Sequence, residues 1–397
     1  MSRRAHFVLI ANSDSPRVEG FQKALAHLNL AQADIVSYEN LLSNPSCLSQ
    51  VLRADSIVRV ESPGRNFRVE QKILQLGIQE ASRENYYWIE QDKLERCEFD
   101  KGLILAPRQW YLGYQAVLQM IAGQVEAFSS ACSFMNHPVE IAMMFDKPHC
   151  QSRFQRVGVE VPQQFGLIDS FEHLDCMMRV NGASRVFLKL AHGSSASGLI
   201  AYRRNRNGTK HQAVTTIEKI SSYQDISLYN SRKIRKIDSL AEINTLVDAL
   251  CRHRCFAEDW LPKAQLEGLS FDLRVLTIGA NPHHVVVRQS KTPFTNLHLR
   301  NKRASVELLK SHMDAEAFNA AMSACQQAAA CFPRSLYAGI DLIIRSGMHR
   351  HAIAEINAFG DQLNGIEFRG KDTYSSEIEV LLYDNAPARD FQGASIG

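Results

Sequence analysis

The stretch at residues 336–361, LYAGIDLIIRSGMHRHAIAEINAFGD, constrains the fold of this chain more than any other. Two apolar runs, residues 339–345 and 351–357, flank a Ser-Gly-containing turn, and the pattern predicts a β-hairpin. Each strand carries polar groups where an ordinary core strand has none: Asp341 on the first, Glu355 and Asn357 on the second. Residues two apart on a strand point the same way, so Glu355 and Asn357 share a face, and hairpin pairing can set Asp341 beside them. Two carboxylates and an amide oxygen converging without a Lys or Arg partner are costly to bury, and a cation is the natural way to neutralise them. An all-oxygen set suits Mg²⁺, with Mn²⁺ as a second choice, sharing its remaining positions with water and phosphate oxygens. The same residues also fit a polar hairpin edge facing solvent, and the hairpin alone does not decide.

At 397 residues the chain has room for two or three cores. A hydrophobic content of 45% with 22% charged residues is that of a globular protein in water, and a net charge of +3 does not indicate a general nucleic-acid or membrane-surface role. No apolar run approaches the ~18 residues that span a bilayer. The opening MSRRAHFVLIANSDSP meets Asn12, Ser13 and Asp14 too soon for a signal sequence and reads as a buried first strand. Nine irregularly spaced cysteines fit a reducing compartment, and the expected location is cytoplasmic. The CRHRC run at residues 251–255 sits in a helical pattern and lacks a second ligand pair at zinc-finger spacing.

To about Ser130, short apolar runs alternate with helical patterns, which predicts a small α/β unit with a parallel sheet. Strands are expected at residues 6–12, 33–39 and 55–61, and helices at 16–30, 66–79 and 110–128. Loops at the carboxyl ends of such strands build a cleft wall. From Asn136 the texture changes to two helical patterns, with Lys147 at their junction either as a solvated cap residue or as a cation turned into a cleft. Lys189 lies in an apolar strand, where a charge needs an anionic partner. The loop HGSSASG that follows is bracketed by Gly193 and Gly198. Its backbone amides, with the hydroxyls of Ser194, Ser195 and Ser197, suit a phosphate lid, though an ordinary hairpin tip has the same composition. The lysine precedes the loop, so this is not a P-loop.

Residues 209–238 read as polar and less regular, and their basic cluster at 232–236 as a solvated edge. FAEDWLP, at residues 256–262, reads as a strand able to line an adenine slot, with Lys263 and Gln265 close to a ribose or phosphate. SFDLRVLTIG and HHVVVRQSK form a second hairpin-like pair interrupted by Arg274 and Arg288. Inward guanidiniums in β structure imply bound oxyanions. Thr295 and Asn296 follow in a loop, an Ala-rich helix is expected at 314–331, and the last residues are expected to fray.

Taken in order, these motifs resemble an ATP-grasp enzyme over residues 136 to about 382. N-H-P…DK…GVEVP resembles the family's opening segment, which implies that Lys147 is the first nucleotide-binding lysine. FLK with its Gly/Ser loop resembles the second lysine, Lys189, and the lid formed by Gly193, Ser194, Ser195 and Ser197. AEDWLP resembles the hinge strand, implying that Glu258 and Leu261 meet the adenine through backbone atoms, with Lys263 or Gln265 in the ribose position, where the family often has an acid. FDLRV…VVVRQS…TNLH is similar to the branch of ribosomal-protein S6 glutamate ligase and glutathione synthetase-like enzymes, implying that Arg274, Arg288 and Asn296 lie near the triphosphate and acyl substrate. GIDLI…AEIN resembles the magnesium motif of Asp341, Glu355 and Asn357. Many ligases follow it with a Pro-Gly turn; here Ala358-Phe359-Gly360-Asp361 stands instead, where the second substrate is expected.

The resemblance implies an α/β and α+β fold: a pre-ATP-grasp α/β domain at residues 1–135, then a two-subdomain ATP-grasp fold at 136–385 with a lid at about 158–255, and a tail at 386–397. It implies an ADP-forming carboxylate-amine ligase acting through an acylphosphate on an amino acid, peptide or protein, with ATP and Mg²⁺. Neither nucleic acid nor membrane is an expected partner, and a homodimer is compatible with it. A kinase on the same scaffold and a nucleotide-binding regulatory module are the alternatives.

Overall fold

The computed structural model describes residues 5–193, 197–221 and 226–383. Ser194 and Ser195 of the expected lid, and the expected tail at 386–397, lie outside them. Near the amino terminus, β1 (Phe7–Ala11) is apolar and buried at every position because it sits inside a parallel sheet. With β2 (Asp34–Ser37), β3 (Ile57–Val60) and β4 (Ser133–Phe134) it forms the order β2-β1-β3-β4. Helix α1 (Pro16–His27) begins where the Ser15 hydroxyl accepts from the Arg17 amide, with Pro16 in its first turn. α2 (Phe67–Leu76) and α3 (Pro107–Phe128) approach through glycines: a Cβ on Gly113 would lie 1.8 Å from the Ile73 carbonyl oxygen.

Next come α4 (Pro138–Phe145) and α5 (Lys147–Arg156), separated only by Asp146, whose carboxylate accepts from the His149 amide at 3.1 Å and caps α5. An antiparallel sheet follows, built of β5 (Gln164–Ile168), β6 (Arg185–Leu190), β7 (Ile200–Arg204), β8 (His211–Ser221), β9 (Ile226–Ile237) and β10 (Cys255–Asp259), in the order β5-β10-β6-β7-β8-β9. α6 (Phe171–Val180) and α7 (Leu240–Cys251) pack on it. The irregularity expected over 209–238 is not found: β8 and β9 are long paired strands. Their inward positions include Ala213 and Thr215, and a bulge after Thr215 shifts the alternation, so little hydropathy contrast reaches the sequence. The CRHRC run, read as helical, spans the end of α7 and the start of β10.

The third sheet contains β11 (Gln265–Leu266), β12 (Leu269–Ile278), β13 (Asn281–Ser290), β14 (Lys302–Ala304), β15 (Tyr337–Ile344) and β16 (His351–Asn357). Its order is β14-β13-β12-β15-β16, with β11 on β12. α8 (Ala315–Ala330) covers it, and α9 (Thr373–Leu382) packs against α1. All strand pairs in the second and third sheets are antiparallel, so the fold combines an α/β unit with α+β architecture.

Buried charge joins the first sheet to the third. Arg59 is fully buried, with Nε 2.6 Å from Glu61, Nη2 2.5 Å from Asp361 and Nη1 2.7 Å from Glu377. The rings of Phe21, Tyr337 and Tyr374 surround its guanidinium. Arg17 reaches Asp361 at 2.6 Å and the Phe359 carbonyl at 2.5 Å. A buried guanidinium is tolerated only when its donors are matched, and these contacts pin the turn after β16 to the amino-terminal sheet. The second sheet meets the same amino-terminal unit where the Ile104 amide donates to the Leu228 carbonyl at 2.8 Å and the Asn230 amide to the Gly102 carbonyl at 2.6 Å.

Gly113→Ala forces a methyl group into the Ile73 backbone, and overpacking of this kind costs about 1–3 kcal/mol. The urea midpoint of the variant is expected to fall with little change in slope; an unchanged midpoint would mean that the α2–α3 approach is looser than described.

Candidate active site

The pairing of β15 with β16 sets Asp341 opposite Glu355 and Gly339 opposite Asn357, so the three polar side chains of the hairpin share one face. The expectation that they lack cationic partners is overturned. Arg274 Nε lies 2.5 Å from Asp341 Oδ1, Arg288 Nη2 lies 3.2 Å from the same oxygen, and Lys147 Nζ lies 3.0 Å from Glu355 Oε2. The partners come from outside the hairpin: β12 pairs β15 with Arg274 opposite Asp341, and α5 delivers Lys147 from its first turn. Asp341 Oδ2, Glu355 Oε1 and Asn357 Oδ1 have no protein hydrogen-bond partner among the described residues, while the Asn357 amide donates to the Gly339 carbonyl at 3.1 Å. Three hard oxygens on one face are donors that Mg²⁺ accepts. Among the described residues, no group of three or more His, Cys, Asp or Glu side chains is arranged to hold a metal, so a cation here would rely on the amide and on added oxygens.

Lys189 is 9% exposed on β6 and forms an ion pair with Glu258 of the neighbouring β10. The anionic partner that the sequence demanded for Lys189 is therefore a protein carboxylate. Glu258, expected to act through its backbone, turns its side chain inward and is 1% exposed. Gln151, four residues after Lys147 on α5, donates to Glu258 Oε2 at 2.6 Å and to the Ala354 carbonyl at 3.2 Å, so one helix face serves both acids. Burial works to lower the Lys189 pKa, but Glu258, Glu355 and Asp341 outweigh it and the ammonium is stabilised. Burial likewise works to raise Glu355, yet Lys147, Lys189 and Arg274 hold its carboxyl well below the usual carboxylate range. Leu261 is buried beside Ile343 and Ala352. At the edges of the expected lid, the Gly193 amide donates to the Leu190 carbonyl at 3.4 Å; Ser197 is half-buried, next to Gly198 at φ +66°.

On the other side, Arg288 Nε lies 2.8 Å from Asp272, the residue opposite it across β12 and β13, and its Nη1 donates to Asn296 Oδ1 at 3.5 Å. Lys263 lies 2.9 Å from Asp272 and donates to Thr295 Oγ1 at 2.8 Å and the Pro293 carbonyl at 3.2 Å. The oxyanions expected on Arg274 and Arg288 are thus supplied here by Asp341 and Asp272. Burial lowers the Lys263 pKa despite its acid neighbour, whereas Arg288 and Lys263 keep Asp272 below its ordinary value against the effect of burial. Sequence reasoning missed Gln151 and Asp272, and the side-chain role of Glu258. The signal for Asp272 was an acid two residues before Arg274 in an apolar strand. Side chains at 13% and 17% exposure, Lys147 and Arg274, stand at the open face, where a phosphate or carboxylate oxygen can share them.

No family model matches the chain, and no curated protein matches it significantly. Solved structures do resemble it along nearly its whole length. D-cycloserine synthetase DcsG matches with a TM-score of 0.53 at 10% identity, over 95% of this chain and 100% of that one. Macrocyclase MdnC from Microcystis aeruginosa MRC, bound with precursor peptide MdnA, gives 0.51 at 11% identity over 95% and 99%. A Chryseobacterium gregarium RiPP-associated ATP-grasp ligase, in complex with ADP and a leader and core peptide, gives 0.50 at 12% identity over 98% and 100%. At such identities the likeness is one of fold, and the fold is that of ATP-grasp ligases.

Lys147→Met removes one partner of a mostly buried ion pair, a change expected to cost about 3 kcal/mol at neutral pH. Because the Glu355 pKa is depressed in the folded chain, its contribution is present above the unfolded value of about 4.3 and is lost as pH falls toward the folded one. Urea unfolding of the two proteins should therefore differ most at neutral pH and converge below about pH 4; a gap that widens with acid would contradict the pairing.

Proposed function

We propose that this chain is an ATP-dependent, ADP-forming carboxylate-amine ligase of the S6 glutamate ligase and glutathione synthetase-like branch. The observation that carries this reading is that three unpartnered oxygens lie within one network of lysines and arginines from three strands and a helix. The ATP-grasp fold supports it, and so do the ordered sequence motifs.

In this reading Lys147 and Lys189 hold the α- and β-phosphates of ATP, and the strand of Glu258 and Leu261 meets the adenine through its backbone. Asp341, Glu355 and Asn357 would hold a Mg²⁺, which would supply charge neutralisation at the phosphate oxygens. Glu258 keeps Lys189 charged and in place before the nucleotide arrives, so little reorganisation is needed when it does. Arg288, fixed by Asp272 and Asn296, faces the transferring group and offsets its charge. The substrate carboxylate oxygen attacks the γ-phosphorus and the bond to the β-bridging oxygen breaks, giving an acylphosphate and ADP. An amine then attacks the acyl carbon, phosphate leaves with its bonding electrons, and the amine proton passes to solvent. The resemblance assigns Gly193, Ser194, Ser195 and Ser197 to the phosphate lid, whose role is to keep water from the acylphosphate. An amino acid, peptide or protein is the substrate class, consistent with the peptides held by MdnC and the Chryseobacterium gregarium ligase.

ADP release from the purified protein should require Mg²⁺, a carboxylate and an amine together. Asp341→Asn and Glu355→Gln should each lower it by about 10²-fold or more. Full turnover in both variants would place the metal elsewhere, and mass spectrometry showing phosphate retained on the product would make the enzyme a kinase.

A further inference from the structure

Where β6 ends, the chain passes through Ala191 and His192 to Gly193, the first residue of the expected lid. His192 is 5% exposed, and the groups that touch its ring come from other parts of the fold. Arg108, in the first turn of α3, lies with Nη1 3.0 Å from Nε2; Arg254, in the turn between α7 and β10, lies with Nη1 2.9 Å from the same nitrogen. The Phe145 carbonyl, at the end of α4, is 3.3 Å from Nδ1. Tyr111, one turn along α3 from Arg108, stacks on the ring with centroids 3.8 Å apart and planes inclined by 8°.

These contacts admit one form of the imidazole. A guanidinium only donates and a carbonyl only accepts, so Nε2 carries the lone pair and Nδ1 the proton. The ring is therefore neutral, and two arginines share one acceptor. Burial, then the positive fields of Arg108, Arg254 and, more weakly, Lys147, disfavour its protonation in the same sense. Acids stand behind the arginines: Glu84 takes Arg108 with both oxygens, at 2.6 and 2.8 Å, and Asp146 Oδ2 lies 3.5 Å from Arg254 Nη1.

The backbone beside the ring joins the segments of the two cleft lysines. The Ala191 carbonyl accepts from the Lys147 amide at 3.2 Å, and the Ala191 amide donates to the Arg254 carbonyl at 3.0 Å. Phe145, which accepts the Nδ1 proton, is two residues before Lys147, and Lys189 is three residues before His192. Arg254 has φ +59°, a left-handed conformation that a residue with a Cβ keeps only where its surroundings hold it. Here both its carbonyl and its guanidinium are engaged, and the strand that carries Glu258 begins at the next residue. One side chain thus meets the helix start of Lys147, the strand of Lys189 and the turn before Glu258, and through Arg108 and Tyr111 it meets the amino-terminal unit.

We propose that His192 is a positioning residue for the nucleotide: by accepting from Arg108 and Arg254 it fixes the root of the lid and the spacing of Lys147 and Lys189, so that the amino-terminal unit acts on the phosphate site. The role rests on the ligase reading above, which sets both lysines on ATP phosphates. Two cations held at a fixed spacing meet a polyphosphate without reorganising, and a loosened root forfeits that advantage in binding.

The test compares His192→Phe, which keeps a ring against Tyr111 but accepts nothing, with His192→Gln, whose amide oxygen reaches the place of Nε2 and accepts. MgATP is titrated calorimetrically into each, and amide hydrogen exchange is followed in peptides covering 145–150 and 187–193. The dissociation constant for MgATP is expected to rise about 10-fold or more in His192→Phe and to stay within about 3-fold of the unmodified protein in His192→Gln. Exchange at the Lys147 and Ala191 amides should quicken in the Phe variant only, and Arg108→Gln should weaken MgATP binding in the same direction. If the Phe variant shows no cooperative urea transition, the Arg108→Gln titration decides by itself. An equal loss in the Gln and Phe variants makes the ring a packing element and overturns the proposal, as does unchanged affinity in Arg108→Gln. Unchanged affinity in His192→Phe, in a protein that binds MgATP, overturns the positioning role and leaves the ligase reading standing. An unmodified protein that does not bind MgATP overturns the ligase reading and the role of His192 with it.

Discussion

Burying a charge requires a partner, and in this chain the partner almost always comes from another element. Asp341 on β15 is held by Arg274 on β12 and Arg288 on β13; Glu355 on β16 by Lys147 on α5; Lys189 on β6 by Glu258 on β10. Each pair ties two pieces of the fold together at the cleft floor, so the geometry of the site and the packing of the sheets are one problem. A pair of this kind contributes little net stability compared with apolar side chains of equal volume. Its persistence here is best understood through what it prepares: cations already desolvated and oriented, which an incoming polyanion meets without reorganising them.

The amino-terminal unit is bound to that site by the same principle. Arg59, enclosed by three aromatic rings, and Arg17 reach across to Asp361 and the Phe359 carbonyl, directly after the strand that carries Glu355 and Asn357. Arg17 and Arg59 hold the Asp361 carboxyl below its ordinary range against burial, while burial, resisted only in part by Arg59, pushes the Glu377 carboxyl well up. Gly360 and Gly339 complete the arrangement, since a Cβ on Gly360 would lie 2.4 Å from the Gly339 Cα. The turn that was expected to meet a second substrate is thus fixed from behind by the amino-terminal unit, and its outer part is touched by Arg303.

What the sequence disclosed was local. Asp341, Glu355 and Asn357 stood out because strand alternation is a short-range rule, and Lys189 because a lone charge in an apolar strand announces a missing partner. The identity of the partner was another matter. Glu258 lies 69 positions from Lys189, and Asp341 lies 67 from Arg274, and only sheet pairing brings them together. Gln151 had no signal at all beyond its place one helical turn from Lys147. Asp361 was noticed for its position after Asn357, but its contact with Arg59 spans 302 residues and belongs to tertiary structure alone. β8 and β9 were missed because small and hydroxyl-bearing side chains occupy their buried face and a bulge interrupts their period.

The central claim is that the prearranged cations and the three unpartnered oxygens form one nucleotide site. Calorimetric titration of the unmodified protein with ATP, with and without Mg²⁺, tests it most directly. The account predicts binding of one nucleotide per chain that is markedly tighter with Mg²⁺, because Asp341 and Glu355 repel the phosphates until a cation lies between them. Binding of equal strength without the metal, or no binding in its presence, would contradict it.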